Sequence, residues 1–221
     1  DVALAMYAKL GGCPWTIRPT MPLAHEVIIG MAYAEFGPRH SARRRFMGIT
    51  TVFNSDGSYV LAAGTPRCEY DDYPNTLAHS VRDVLQRLAR EQNWHPGERV
   101  RLVFHAPKPL TGKEIDMLTT VSLAALDSSI QFEAAFLTNE TDHPFKVIAP
   151  HSRGQERFVE LMNGRHGKAL IGVCAPPRGM VIDLGHSKRL LCVNGPALMK
   201  REGESLPHPL QIELHRSSTY T

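Results

Sequence analysis

An Asp-Gly turn between two β-rich runs constrains this chain more than any other single feature. Arg45 to Phe53 (RFMGITTVF) and Ser58 to Ala63 (SYVLAA) flank the turn Asn54-Ser55-Asp56-Gly57. β-branched and aromatic residues suit a pleated, half-buried surface, and Asp-Gly supplies the tight reversal that lets two such runs pair. A mostly apolar run of strand length, Glu26 to Tyr33 (EVIIGMAY), precedes them. The three runs predict an antiparallel meander.

The apolar period then changes. Asn75 is the predicted cap of a helix in which Leu77, Val81, Val84, Leu85 and Leu88 share one face, while Arg82, Asp83, Arg87 and Arg90 point elsewhere. This helix ends near Asn93, before the break at Pro96-Gly97. Arg99 to Ala106 (RVRLVFHA) predicts a fourth strand. A second helix runs from Thr111 to Asp127, with Ile115, Leu118, Val121, Leu123 and Leu126 on its buried side. Gln131 to Leu137 is a fifth strand. A meander followed by α-β-α-β crossovers predicts an α/β fold, a mixed sheet flanked by helices, in the element order of the RNase H-like fold. Further along, Phe145 to Ala149 reads as a strand and Gly154 to Met162 as a short helix. Met180 to Leu184 and Lys188 to Val193 read as a hairpin around Gly185, and Pro209 to His215 as a last strand.

Composition narrows the partners without choosing one. The 221 residues carry a net charge of +3 and a pI near 8.7, which is compatible with a polyanion and does not require one. No apolar run reaches the roughly 18 residues that span a bilayer. No signal peptide opens the chain, and a cytoplasmic location is the expectation. The four cysteines, Cys13, Cys68, Cys174 and Cys192, form no C-x-x-C pair, so we expect reduced buried thiols and neither zinc nor a disulfide framework. The start at Asp1 and a last strand with no closing element suggest a piece of a longer polypeptide, truncated at the C-terminus.

The family resemblance rests on three segments. Tyr7-Ala8-Lys9-Leu10-Gly11-Gly12 resembles the K-L-G-G segment where the MID domain of Argonautes joins PIWI. Val27 to Ala32 is similar to the first PIWI strand, which ends Gly-x-Asp in cleaving members. Arg101 to Ala106 is similar to the strand that ends Arg-Asp-Gly in them. The chain thus resembles the PIWI domain of a prokaryotic Argonaute, most of all the short, catalytically inactive MID-PIWI type. That implies the end of MID and the junction over residues 1–22 and an RNase H-like PIWI domain over residues 23–221.

A nuclease of this fold uses carboxylates on neighbouring strands to hold two divalent ions, which clamp the attacking and leaving oxygens of the phosphate. By the resemblance, the two aspartate positions are Ala32 and Ala106, and alanine has no donor atom. The glutamate position falls at Glu69, Asp71 or Asp72, and an acidic surface loop explains the same residues. The fourth position falls near His215. No slicing and no catalytic metal are therefore expected. The alternative is an active metal-dependent nuclease with displaced carboxylates, for which Glu26, Glu35 and Asp183 are the strand candidates. A further alternative is a PIWI-fold platform for protein partners.

Binding then remains. The resemblance implies that Lys9 holds the 5′-phosphate of a guide strand, where Mg²⁺ is a possible companion ion; a solvated lysine on a helix face explains it too. Arg216, Ser217, Ser218 and Thr219 carry hydroxyls beside a guanidinium, suited to sugar–phosphate contacts, and a polar loop has the same composition. The run Arg43-Arg44-Arg45 reads as a solvated basic loop before it reads as a phosphate contact. Trp15 reads as a junction anchor. The resemblance implies guide RNA, a complementary single-stranded DNA target and an APAZ-containing effector with a TIR, sirtuin-like or nuclease domain in prokaryotic defence, and no membrane.

Overall fold

The structure, a computed structural model, describes residues 2–10, 12–13, 16, 18, 25–36, 44–62, 73–160, 166–193 and 208–217. The chain divides into two compact units, Asp1–Thr138 with Leu214–Thr221, and Asn139–Glu213. The expected boundary between residues 22 and 23 lies outside the described residues.

In the first unit the meander forms as the turn chemistry dictates. β1 (His25–Phe36) pairs antiparallel with β2 (Arg44–Asn54), and β2 with β3 (Tyr59–Ala62). Gly57 takes a φ of +81°, and its N–H donates to the Asn54 carbonyl at 2.9 Å. A left-handed residue is what the reversal needs, and glycine adopts it without a Cβ penalty. β4 (Arg99–Ala106) lies parallel to β1, and β5 (Gln131–Glu140) parallel to β4. The strand order is β3-β2-β1-β4-β5-β10, where β10 is Leu210–Ser217 and its residues divide between the units.

Each parallel step is made through a helix, α2 (Tyr73–Glu91) and α3 (Gly112–Ala125). The predicted α2 face is buried in full: Leu77, Val81, Val84, Leu85 and Leu88 join Val27, Ile29, Val52, Leu102, Phe104 and Phe136 in one core. Asn75 is not the cap, because the helix already includes Tyr73 and Pro74. Proline suits a first turn, whose N–H groups have no partner inside the helix. At its other end Asn93 turns left-handed at φ 53°, and Trp94 N–H closes on the Ala89 carbonyl at 3.0 Å. Thr111 caps α3 in a capping box with Glu114. Leu123 departs from expectation at 53% exposure, while Ser122 completes the Ile115–Leu118 row and is buried. Its hydroxyl has no hydrogen-bond partner among the described residues.

The strand side chains alternate. Val100, Leu102, Phe104 and Ala106 of β4 face the helices, and Arg101, Val103 and His105 are half-buried on the other set. There Glu26, Arg101 and Glu133 are register partners across β1, β4 and β5. Arg101 donates to Glu26 at 3.0 Å and to Glu133 at 2.8 and 2.9 Å. Burial opposes the guanidinium's charge, but the two carboxylates, Glu133 first, outweigh it and raise its pKa. Arg101→Met leaves two half-buried carboxylates facing each other. We expect a loss of about 2–3 kcal/mol, the range for a broken buried pair discounted for partial exposure. Urea unfolding should show it, with recovery when Glu26→Gln and Glu133→Gln are added.

The second unit departs further from the sequence reading. Residues 145–149 form no strand. Where a helix was expected from Gly154, β6 (Arg153–Glu160) pairs antiparallel with β7 (His166–Val173). Gly154 lies at φ +74°, and a Cβ there would stand 2.6 Å from the Ile171 carbonyl oxygen. Pairing with the next strand overrides the weak helical preference of Gln155-Glu156-Arg157. The hairpin at Gly185 is present as β8 (Val181–Gly185) and β9 (Lys188–Leu191), and β9 pairs with β10. Cys192 is buried, which raises its pKa, but Cys13 is exposed, and Cys68 lies outside the described residues. No helix among the described residues is long and apolar enough to cross a membrane.

Candidate nucleic-acid interface

In a parallel α/β arrangement, sites form at the carboxyl ends of the strands, where the connections diverge. Here β1 and β4 run side by side up to the pair Gly30↔His105. Ala32 lies just beyond that pair, opposite Gly48 of β2, and Ala106 ends β4 opposite Thr138 of β5. Their surroundings differ. Ala106 is 2% exposed within the core, continuing the row Leu102–Phe104. Ala32 is half-buried and falls in the alternate set of β1, with Ile28 and Gly30.

The polar groups expected to serve as metal ligands have other partners. His215 Nε2 and Thr138 Oγ1 are hydrogen-bonded, so the nitrogen nearest the expected fourth ligand position is already engaged. Of the displaced-carboxylate candidates, Glu26 is held by Arg101, and Asp183 by Arg189 at 2.7 Å. Glu35 is in β1, and Glu69, Asp71 and Asp72 lie outside the described residues. Among the described residues no three or more of His, Cys, Asp and Glu gather as metal ligands. An alanine methyl offers no donor atom to a divalent ion, and His215 Nε2 is engaged with Thr138.

His105 is the titratable group nearest this end of β4. Burial holds its imidazole below the ordinary 6.5. Below 6.5 the unfolded chain binds a proton that the folded chain does not. Stability is therefore complete above 6.5 and declines as pH falls towards the folded value. Chemical unfolding from pH 7.5 to 5 should show this slope, and His105→Gln should flatten it; an unchanged slope would remove His105 as its source.

Lys9 is the last residue of α1 (Val2–Lys9). Gly12, the second glycine of the K-L-G-G segment, donates its N–H to the Tyr7 carbonyl at 2.9 Å. A Cβ on Gly12 would sit 2.4 Å from the Tyr7 ring, so close approach explains that glycine. Arg216 is exposed in β10 and ion-paired with Asp116 of α3. Ser217 ends β10, and Ser218 and Thr219 lie outside the described residues, as do Trp15 and Arg43. Arg44 and Arg45 belong to β2 rather than to a loop. Sequence reasoning missed Thr138 and Asp116. Their partners stand 77 and 100 residues away, and no local pattern announces either.

No family model matches the chain. Its whole length is 40% identical to a segment of the Argonaute protein of Cereibacter sphaeroides, of which it spans 28%. Its fold is similar to a crystal structure of Aa-Ago with externally bound siRNA, at a TM-score of 0.52 and 11% identity, over 98% of this chain and 25% of that one. The meander, the two helical crossovers and the parallel β1-β4-β5 core are those of an RNase H-like fold. The chain has a fold like that of an Argonaute structure and is similar along its whole length to just over a quarter of an Argonaute protein.

Proposed function

We propose that this chain is the nucleic-acid-binding PIWI module of a guide-directed protein that holds a complementary target without cutting it. The observation that carries this reading is that alanine stands at both positions, Ala32 just past the end of the β1–β4 pairing and Ala106 at the end of β4, whose β5 partner Thr138 is hydrogen-bonded to His215. Base pairing supplies sequence specificity, and the protein grips backbone and shape. Lys9 stands for the 5′-phosphate of the guide, with Mg²⁺ as its companion ion. Arg216, Ser217, Ser218 and Thr219 stand for sugar–phosphate contacts. The guide is RNA and the target single-stranded DNA, in the cytoplasm. The partner implied by resemblance to the short type is an APAZ-containing effector, tested by co-purification with the operon neighbour.

Extraction of nucleic acid from the purified full-length protein tests the binding reading. Short 5′-phosphorylated strands should be recovered. Rebinding of such a strand should weaken linearly in log Kobs against log salt, because each phosphate contact releases counterions. An empty extract, or an affinity indifferent to salt, would refute it.

A further inference from the structure

Two basic side chains from distant parts of the chain meet in the second unit. Lys146 Nζ lies 2.5 Å from His208 Nε2, across 62 residues of sequence. Neither is ion-paired to a carboxylate among the described residues. One buried histidine holds them there. His143 is 8% exposed. Its Nε2–H donates to the Pro209 carbonyl at 2.8 Å, and its Nδ1 accepts the Phe145 N–H at 3.2 Å. One ring nitrogen thus fixes the residue after His208, and the other fixes the residue before Lys146. The His143 ring also lies against those of His208 and Phe145, each at 5.7 Å between centroids.

This arrangement has a chemical direction. The ammonium donates to the imidazole nitrogen and keeps two further N–H groups, and the imidazole keeps a second N–H. All of these are donors, and the lysine is exposed. A tetrahedral oxyanion can accept from both side chains at once, as charge-assisted hydrogen bonds. The clamp orders the two segments beforehand, which lowers the entropy cost of binding.

We propose that Lys146 and His208, held together by His143, form a phosphate-oxyanion site occupied by a backbone phosphate of a bound nucleic-acid strand. The site rests on this geometry, and its occupant rests on the binding reading above.

The test uses the intact protein, Lys146→Gln, and Lys168→Gln as control, since Lys168 is an exposed lysine paired with Glu156. The first measurement is affinity for a short 5′-phosphorylated single strand across salt concentrations. The second is the thermal midpoint in inorganic phosphate against chloride of equal ionic strength. Lys146→Gln should weaken strand binding roughly 3–10-fold and lower the salt slope by about one contact, while Lys168→Gln changes neither. Lys146→Gln should also abolish the rise of the midpoint in phosphate. Unchanged strand affinity and slope in Lys146→Gln would overturn the proposed occupant, even if the phosphate response is lost. If the intact protein binds no strand, the binding reading itself fails. The phosphate response then decides the site: loss in Lys146→Gln upholds it, and an equal response, or none, in both proteins overturns it.

Discussion

Ala106→Asp is expected to cost about 3–5 kcal/mol of stability near neutral pH, the range for an uncompensated buried charge. Ala106 is 2% exposed, in the core with Leu102 and Phe104. A carboxylate there loses its water and gains no cation, so it is driven towards its neutral form and its pKa rises. The sign of the pH dependence follows. Between the unfolded value of about 3.9 and the raised folded value, the folded chain binds more protons than the unfolded chain. Stability then falls as pH rises. The deficit should be smallest near pH 4 and grow towards pH 7. Ala106→Asn, with the same shape and no charge, separates crowding from charge: the Asp–Asn difference should widen with pH. Ala32→Asp falls at a half-buried position and should cost about 1 kcal/mol or less. Denaturant midpoints of the three variants across that range would decide it. An Ala106→Asp protein as stable as the parent at pH 7 would mean that position 106 opens to water or to a cation.

Phe104→Ala should produce a comparable loss, about 3–5 kcal/mol, through a cavity instead of a charge. Phe104 and Phe136 are fully buried neighbours on β4 and β5, stacked with centroids 5.0 Å apart and ring planes 6° from parallel. Deleting one ring removes its transfer energy and strips one face of the other ring of contacts. The cavity lies between two helices and a parallel sheet, where little can collapse to fill it. Phe104→Leu should cost less, since it refills much of the space. The double variant Phe104→Ala/Phe136→Ala should lose less than the sum of the singles, because the rings contact each other. Strict additivity in urea unfolding would contradict the stack.

The parts of the fold that were legible in the sequence are those fixed by local chemistry. Asn54 to Gly57 announces the hairpin, the apolar spacing from Leu77 to Leu88 announces the core face of α2, and Thr111 with Glu114 announces a helix start. β4 matches its predicted bounds, Arg99 to Ala106, because its apolar alternation stops at proline. The β6–β7 pair was not legible. The residues of β6 whose burial is described are mostly exposed, and Gln155 to Arg157 suits a helix as well as a strand. Gly154, poor inside a helix, was the available signal. At the candidate site, Ala32 and Ala106 were readable only by resemblance. The contacts that occupy its polar groups, Thr138 with His215 and Asp116 with Arg216, join residues too far apart for any local pattern. Lys146 likewise reads as an isolated basic residue until the fold brings it to His208.

In the proposed function, binding proceeds without cleavage. Its most direct test loads the full-length protein with a 5′-phosphorylated guide and adds a labelled complementary strand with Mg²⁺ or Mn²⁺. The target should be retained on the protein and recovered at full length. A cut target would contradict the account and place a working metal site among acidic residues other than positions 32 and 106.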